Sequence, residues 1–171
     1  RRAMYSHHEI TMKKHRAWFK RMQRDESARW YLWRDTVGEP MGVVYFTEID
    51  LQHRSASWGF YAKPGAKSGT GLRMLLDALE LAFDNERLHL HKVNGEALAS
   101  NAMSVHLHKK VGFTEEGIFR EQHLCGDQRV DVVRFGILAN EWPQYREGLY
   151  HRMEKLDVPS VRKNQSPPTR L

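Results

Sequence analysis

The stretch KPGAKSGTGLRMLL, residues Lys63 to Leu76, decides how this chain is read. Three glycines (Gly65, Gly69, Gly71), a proline and two lysines run straight into a leucine-rich segment. Downstream, Leu72, Leu75, Leu76, Leu79, Ala82 and Phe83 recur at helical spacing and predict an amphipathic helix with one apolar stripe. Upstream, RSASWGFYAKP alternates Ala56, Trp58 and Phe60 against Ser57, Gly59 and Tyr61, which predicts a strand ended by Pro64. After the helix, HKVNGEAL predicts a second, short strand. The segment is therefore a strand, a glycine loop, a helix and a strand, a βαβ unit. Glycines at a helix entry suit an ordinary tight turn. They also suit an anion cradle, because backbone N–H groups and the helix dipole there attract phosphate oxygens.

Working outward, EITMKKHRAWFKRM reads as a helix capped by Thr11, with His15, Trp18, Phe19 and Met22 on one face. RWYLWRDTVGEPMGVVYFTEID reads as a hairpin turning at Val37-Gly38-Glu39-Pro40. NAMSVHLHKKV reads as a helix capped by Asn101 and stopped by Gly112. GIFREQHL and RVDVVRFGI read as strands joined through Cys125-Gly126-Asp127-Gln128, and NEWPQYREGLYHRMEKL as a helix with Pro143 in its first turn. The expected class is α/β (α+β), with a mixed sheet flanked by helices. The organisation expected is one domain over residues 1–153 and a polar, disordered tail over 154–171.

Composition narrows the function. The 171 residues carry a formal net charge of +6, which favours an anionic partner, nucleic acid or a nucleotide-bearing small molecule. Much of the charge sits at the ends, in RRAMYSHH and VRKNQSPPTRL, and the strand MGVVYFTEID carries Glu48 and Asp50 where an RNA-stacking sheet would be basic and aromatic. No apolar run has membrane-spanning length. One cysteine, Cys125, excludes an internal disulfide framework and fits a cytoplasmic, reducing setting. The ten histidines show no zinc spacing, so no metal is expected.

Taken in order, WGFYA, the loop KSGTG, the strand carrying Glu96, then Asn101 and LHKKVGF (Leu107 to Phe113) resemble the GNAT N-acetyltransferase superfamily. The resemblance covers residues 40 to 140. It implies a mostly antiparallel sheet with a central βαβ unit that binds acetyl-CoA. Lys67, Ser68, Gly69, Thr70 and Gly71 would then hold the pyrophosphate, and Asn101 and Ser104 would line the pantetheine arm. Main-chain groups near Phe60 and Tyr61 would face the oxyanion. EITMKKHRAWFKRM, GEPMGVVYFTEID and WGFYAKPGAKSGTG further resemble the bacterial nucleotide-sugar acetyltransferases of pseudaminic acid biosynthesis. That narrower resemblance implies transfer to the 4-amino group of a UDP-linked amino-deoxy sugar, with His15, Trp18 and Trp58 on the substrate. The alternatives are an acetyltransferase of small amines or protein N-termini, and an RNA-binding module. A homodimer is a further expectation.

Three departures from the superfamily pattern stand out. Ala66 occupies the usual Gln or Arg position, His108 the usual acid tyrosine position, and the strand and helix that normally precede Glu9 are expected to be missing. Acetyl transfer needs a neutral amine and a proton for the leaving thiolate. Glu96 is the candidate base, with His15 as runner-up. His108 is the candidate acid, since an imidazolium gives a proton to a thiolate downhill. Each has an ordinary reading beside the catalytic one: Glu96 as an ion-paired carboxylate, His108 as a surface histidine, Asn101 as a helix cap, the tryptophans as core.

Overall fold

The computed structural model describes residues 11–35, 37–155 and 169–170. In chain order the elements are α1 (Met12–Met22), β1 (Arg29–Arg34), β2 (Pro40–Asp50), β3 (Ser55–Ala62), α2 (Thr70–Phe83), β4 (Lys92–Leu98), α3 (Ala102–Lys110), β5 (Thr114–Cys125), β6 (Gln128–Leu138), α4 (Trp142–Lys155) and β7 (Thr169–Arg170). The strands form one sheet in the order β5-β6-β4-β3-β2-β1-β7. Every pairing is antiparallel except β3 with β4, the pair bridged by α2. A parallel pair needs a crossover of this kind, and the leucine helix supplies it.

That parallel pair is short. Ser55, Ala56 and Ser57 pair with Lys92, Val93 and Asn94, and no pairing continues beyond them. Yet β3 runs on to Ala62 and β4 to Leu98, each still bonded to its outer neighbour, β2 or β6. The sheet therefore forks in its middle, and the facing backbone edges of the two arms lack each other as partners.

One face of the sheet packs under α2, α3 and α4. Met74, Leu75, Leu76, Leu79 and Ala82 of α2 are buried against Val44, Phe46, Ala56, Val93 and Ile137. Two polar anchors fix α2 further. Trp33 Nε1 donates to Asp77 Oδ2 at 2.7 Å, and Arg73, almost wholly buried, pairs with Asp77 at 3.3 Å. The Arg73 guanidinium also lies 5.8 Å from the Tyr150 ring centroid of α4. Burial pushes the Asp77 carboxyl up, and Arg73 and Trp33 oppose the shift. The opposite face carries α1, whose Trp18 meets Trp30 of β1 edge-on at 5.0 Å.

The caps follow the sequence pattern. Thr11 Oγ1 accepts from the Lys14 amide at 3.3 Å, and Asn101 Oδ1 from the Ser104 amide at 3.2 Å. The hairpin turn is held by Asp35 Oδ1, which accepts from Val37 and Glu39 amides, with Gly38 at φ 87°. β5 and β6 are longer than their apolar cores suggest, because pairing extends into the polar residues of the turn. The expected disordered tail lies largely outside the described residues. Within it, helix α4 continues through Lys155 and Thr169–Arg170 pair with Leu32 and Tyr31 of β1. The residues expected to begin the first helix, Glu9 and Ile10, also lie outside the described residues.

Candidate active site

The glycine loop delivers α2 with an open N-terminus. Gly69 is the N-cap residue at φ 88°, a left-handed conformation that a side chain strains. It offers no side-chain cap, and the first turn of α2 holds no acidic residue. The first-turn amides of a helix have no acceptor inside it, so an anion is their natural partner. Lys67 and Ser68 are exposed beside them, and Thr70 is buried with its amide bonded to Lys67 O. A Cβ on Gly71 would come within 3.3 Å of Phe60 Cε2, so the helix start rests directly on β3. Phe60 is half-buried and Tyr61 is exposed, both on the free arm of β3. The loop and this arm of the fork are thus brought together.

The helix-covered face of the fork is aromatic. Trp58 stacks on Phe60 at 5.3 Å and on Phe113 at 6.1 Å. His108 stacks on Phe135 at 4.8 Å and meets Trp58 edge-on at 5.6 Å. Gly95, the first residue of β4 past the pairing, has no room for a side chain. A Cβ there would lie 2.6 Å from His108 Nε2 and 2.8 Å from Trp58 Nε1. The Trp58 indole N–H is buried and has no hydrogen-bond partner among the described residues.

His108 is only 3% exposed, so the surface reading of this histidine does not apply. Its Nδ1 lies 2.8 Å from Ser104 O, and donation to that carbonyl leaves Nε2 as the acceptor in the neutral ring. Burial pushes the imidazole below its ordinary value, and the Ser104 carbonyl only partly offsets this. The neutral ring is the favoured form, which weighs against a standing imidazolium as proton store. Periodicity put His108 on the helix face that the structure turns toward Gly95 of β4. Its depth came from a sheet that the periodicity does not contain.

Glu96 lies on the other face of β4, opposite Arg134 in register, and accepts from its Nη1 at 2.8 Å. Its carboxylate is 38% exposed and stays reachable by an incoming amine. Ser57, on the same face, donates to Glu48 Oε2 at 2.7 Å. Glu48 sits at φ 53° in a β2 irregularity between Thr47 and Asp50. The two carboxylates therefore flank the fork on the α1 side.

That side also carries an aromatic row. His15 stacks on Trp18 at 5.4 Å, Trp18 meets Trp30, and Trp30 stacks on Tyr45 at 4.4 Å. His15 and Trp18 sit at the outer end of the row, while Trp58 lies on the other face of the sheet with Phe60 and Phe113 against it. The sequence reading missed Trp30, Tyr45, Glu48 and Arg134. The signal for Tyr45 was Gly59, a glycine inside an aromatic strand.

A helix N-terminus without a side-chain cap, beside a parallel pair whose facing edges part after three residues, suits an extended, phosphate-bearing cofactor. Comparison with known proteins identifies the class. The family model for the acetyltransferase (GNAT) domain matches residues 1–114, and the chain belongs to this family, using acetyl-CoA in N-acetyl transfer. It is 30% identical over 118 residues to the spermidine N(1)-acetyltransferase of Vibrio cholerae, covering 69% of this chain and 68% of that protein. With the spermidine N(1)-acetyltransferase of Escherichia coli K12 it shares 26% over 105 residues, covering 61% of this chain and 56% of that protein. Among solved structures, spermidine N-acetyltransferase from Vibrio cholerae in complex with CoA and spermine superposes with a TM-score of 0.75 at 25% identity, covering 83% of each chain. A dodecameric structure of the Vibrio cholerae enzyme also matches, with a TM-score of 0.69 at 27% identity over 77% of each chain. Among the described residues no helix is long and apolar enough to cross a membrane, and no cluster of three His, Cys, Asp or Glu could hold a metal.

Two outcomes follow. Acetyl-CoA raises the melting temperature of the protein, since only the folded loop presents the phosphate site. Gly71→Val removes most of that rise, because the side chain enters the Phe60 contact and the cradle; an unchanged rise would place the cofactor elsewhere. His108 also writes a pH signature. Its ring titrates near 6.5 in the unfolded chain and lower in the fold. Below about pH 6.5 the unfolded chain takes up a proton that the fold resists, so stability falls as pH falls through that window. His108→Phe flattens this part of the denaturation-midpoint profile, and an unaltered slope would rule out a depressed histidine.

Proposed function

We propose that this protein acetylates the primary amine of a small polycation of the polyamine kind. The observation that carries the reading is the pair of carboxylates, Glu48 and Glu96, on the α1 side of the fork. The spermidine acetyltransferases among its relatives support it. The chain as a whole is basic, so a cationic acceptor needs local negative charge, and the fork supplies it. The half-buried faces of Trp18 and Trp30 add surfaces on which an alkylammonium chain can rest.

In this reading the amides of Gly69, Gly71 and Leu72 and the Lys67 ammonium hold the pyrophosphate. Asn101 and Ser104 stand at the start of α3 beside the arm that enters the fork. The free β3 amides near Phe60 and Tyr61 bond that arm and face the oxyanion as it forms. Glu96 takes a proton from the ammonium, directly or through water, and Arg134 keeps the carboxylate oriented. The amine then attacks the thioester carbon, the C–S bond breaks, and the thiolate takes up a proton to leave as the thiol.

A nucleotide-sugar acceptor is the finer reading suggested by His15, Trp18 and Trp58. Trp58 stacks on Phe60 and Phe113 and is 7% exposed, which leaves little of its ring for a uracil. The relatives named above are spermidine enzymes. No side-chain feature of the described residues points to a uridine diphosphate beyond the phosphate site that acetyl-CoA itself uses.

The test is acetyl release with spermidine, UDP-amino-sugars and N-terminal peptides in parallel. Turnover should be highest with spermidine. Turnover of the UDP-amino-sugar without turnover of any polyamine would replace this reading. With the preferred acceptor, Glu96→Gln should lower the rate mainly at neutral pH and recover as the amine deprotonates unaided. A mutant pH–rate profile that overlays the parent's would make Glu96 structural.

A further inference from the structure

Tyr45 is a side chain that the mechanism above does not use. It stands on β2 opposite Gly59 of β3, in direct register. Its ring crosses over Gly59, and its hydroxyl occupies the space that a Gly59 Cβ would fill. Gly59 lies two residues past Ser57, the last β3 residue paired with β4. The hydroxyl therefore sits over the β3 arm at the mouth of the fork.

Three further observations bear on what it does there. First, the ring is held. It stacks on Trp30 at 4.4 Å and 23°, and Trp30 is braced edge-on by Trp18 of α1. Second, the hydroxyl has no hydrogen-bond partner among the described residues, although the ring is half-buried. Third, burial, aided by Tyr61 nearby, pushes the phenol above its ordinary value, so it stays a donor over the working pH range. His108 contrasts with it on the opposite face: its neutral ring spends its Nδ1 on Ser104 O.

We propose that the Tyr45 hydroxyl is a catalytic residue that donates a hydrogen bond to the sulfur of the acetyl donor as thiolate charge develops. The inference rests on the fork as the seat of the thioester and is independent of the acceptor. The balance is simple. The amine nitrogen forms a bond to the acetyl carbon, the carbon–sulfur bond breaks with its electron pair going to sulfur, and the proton lost by the amine ends on that sulfur through Glu96 or water. Tyr45 keeps its own proton throughout and lowers the energy of the charged sulfur. A preorganised donor aimed at developing charge is worth on the order of 10- to 10³-fold in rate.

The experiment compares the parent enzyme with Tyr45→Phe, which keeps the ring and its stacking on Trp30. Binding of CoA and of desulfo-CoA is measured by calorimetry across the pH range spanning the free thiol's value of about 8.5. The parent should prefer CoA, and the preference should grow about 10-fold as the thiol ionises. Tyr45→Phe should flatten that preference at every pH while leaving desulfo-CoA affinity unchanged, and turnover with the preferred amine should fall at least 10-fold. A variant that keeps the parent's pH-dependent preference for CoA overturns the proposal, whatever happens to turnover. Because the binding arm needs no acceptor, it still decides the matter if no polyamine is a substrate.

Discussion

The site depends on one interruption: the parallel pairing of β3 with β4 ends after three residue pairs. A backbone amide left without a partner costs roughly 1–3 kcal/mol when it is also shut off from water. Two strand arms facing each other without bonds are therefore an unfinished sheet. An extended ligand with amides of its own completes it, as a third strand would. What holds the arms apart is a wedge on the helix side. Trp58, His108, Phe113 and Phe135 pack ring against ring at the fork, between the strands and α3. The wedge belongs to the core and the gap belongs to the site, and neither exists without the other.

Charge is divided on the same axis. The glycine loop with Lys67 and the uncapped start of α2 are positive, as a pyrophosphate requires. The α1 side of the fork carries Glu48 and Glu96, as the proposed cationic acceptor requires. The net charge of +6 reports neither, because it sums basic ends with the carboxylates on the α1 side of the fork. Rigidity is divided too. α2 cannot drift from the loop it presents, since Trp33 and Asp77 tie it to β1 and Arg73 reaches Tyr150 of α4.

The sequence was most legible where interactions are local. The glycine loop, the leucine stripe of α2 and the Thr11 and Asn101 caps all follow from residues within one or two turns of each other. The βαβ order also followed, because a parallel pair needs a crossover. The fork did not, since the point where β3 and β4 part depends on rings contributed from α3, from Phe113 in the link between α3 and β5, and from β6. His108 shows the limit most clearly. Lys109 and Lys110 made its neighbourhood look solvated, and both are exposed, while the ring itself turns inward over Gly95. Tyr45 read as one more aromatic of a strand until its partner across the sheet proved to be a glycine. Thr169 and Arg170 read as tail because a two-residue pairing leaves no periodicity to find.

Two strand glycines carry the deeper logic of the fork. Gly59 lies on one arm and Gly95 on the other, each within two residues of the last paired position. Glycine inside a strand costs about 0.5–1 kcal/mol relative to alanine, so two of them at one junction are a real expense. Each is occupied from outside. Tyr45 fills the space above Gly59 on the α1 face, and His108 with Trp58 fills the space above Gly95 on the helix face. A side chain at either glycine would claim that space for itself. With glycine there, Tyr45 of β2 and His108 of α3 approach over the strand, and Trp58 reaches Gly95 from the facing arm. The chain thus gives up two of its own side chains to bring polar atoms from three other positions onto the two sides of one gap, where an ester entering the fork would meet both.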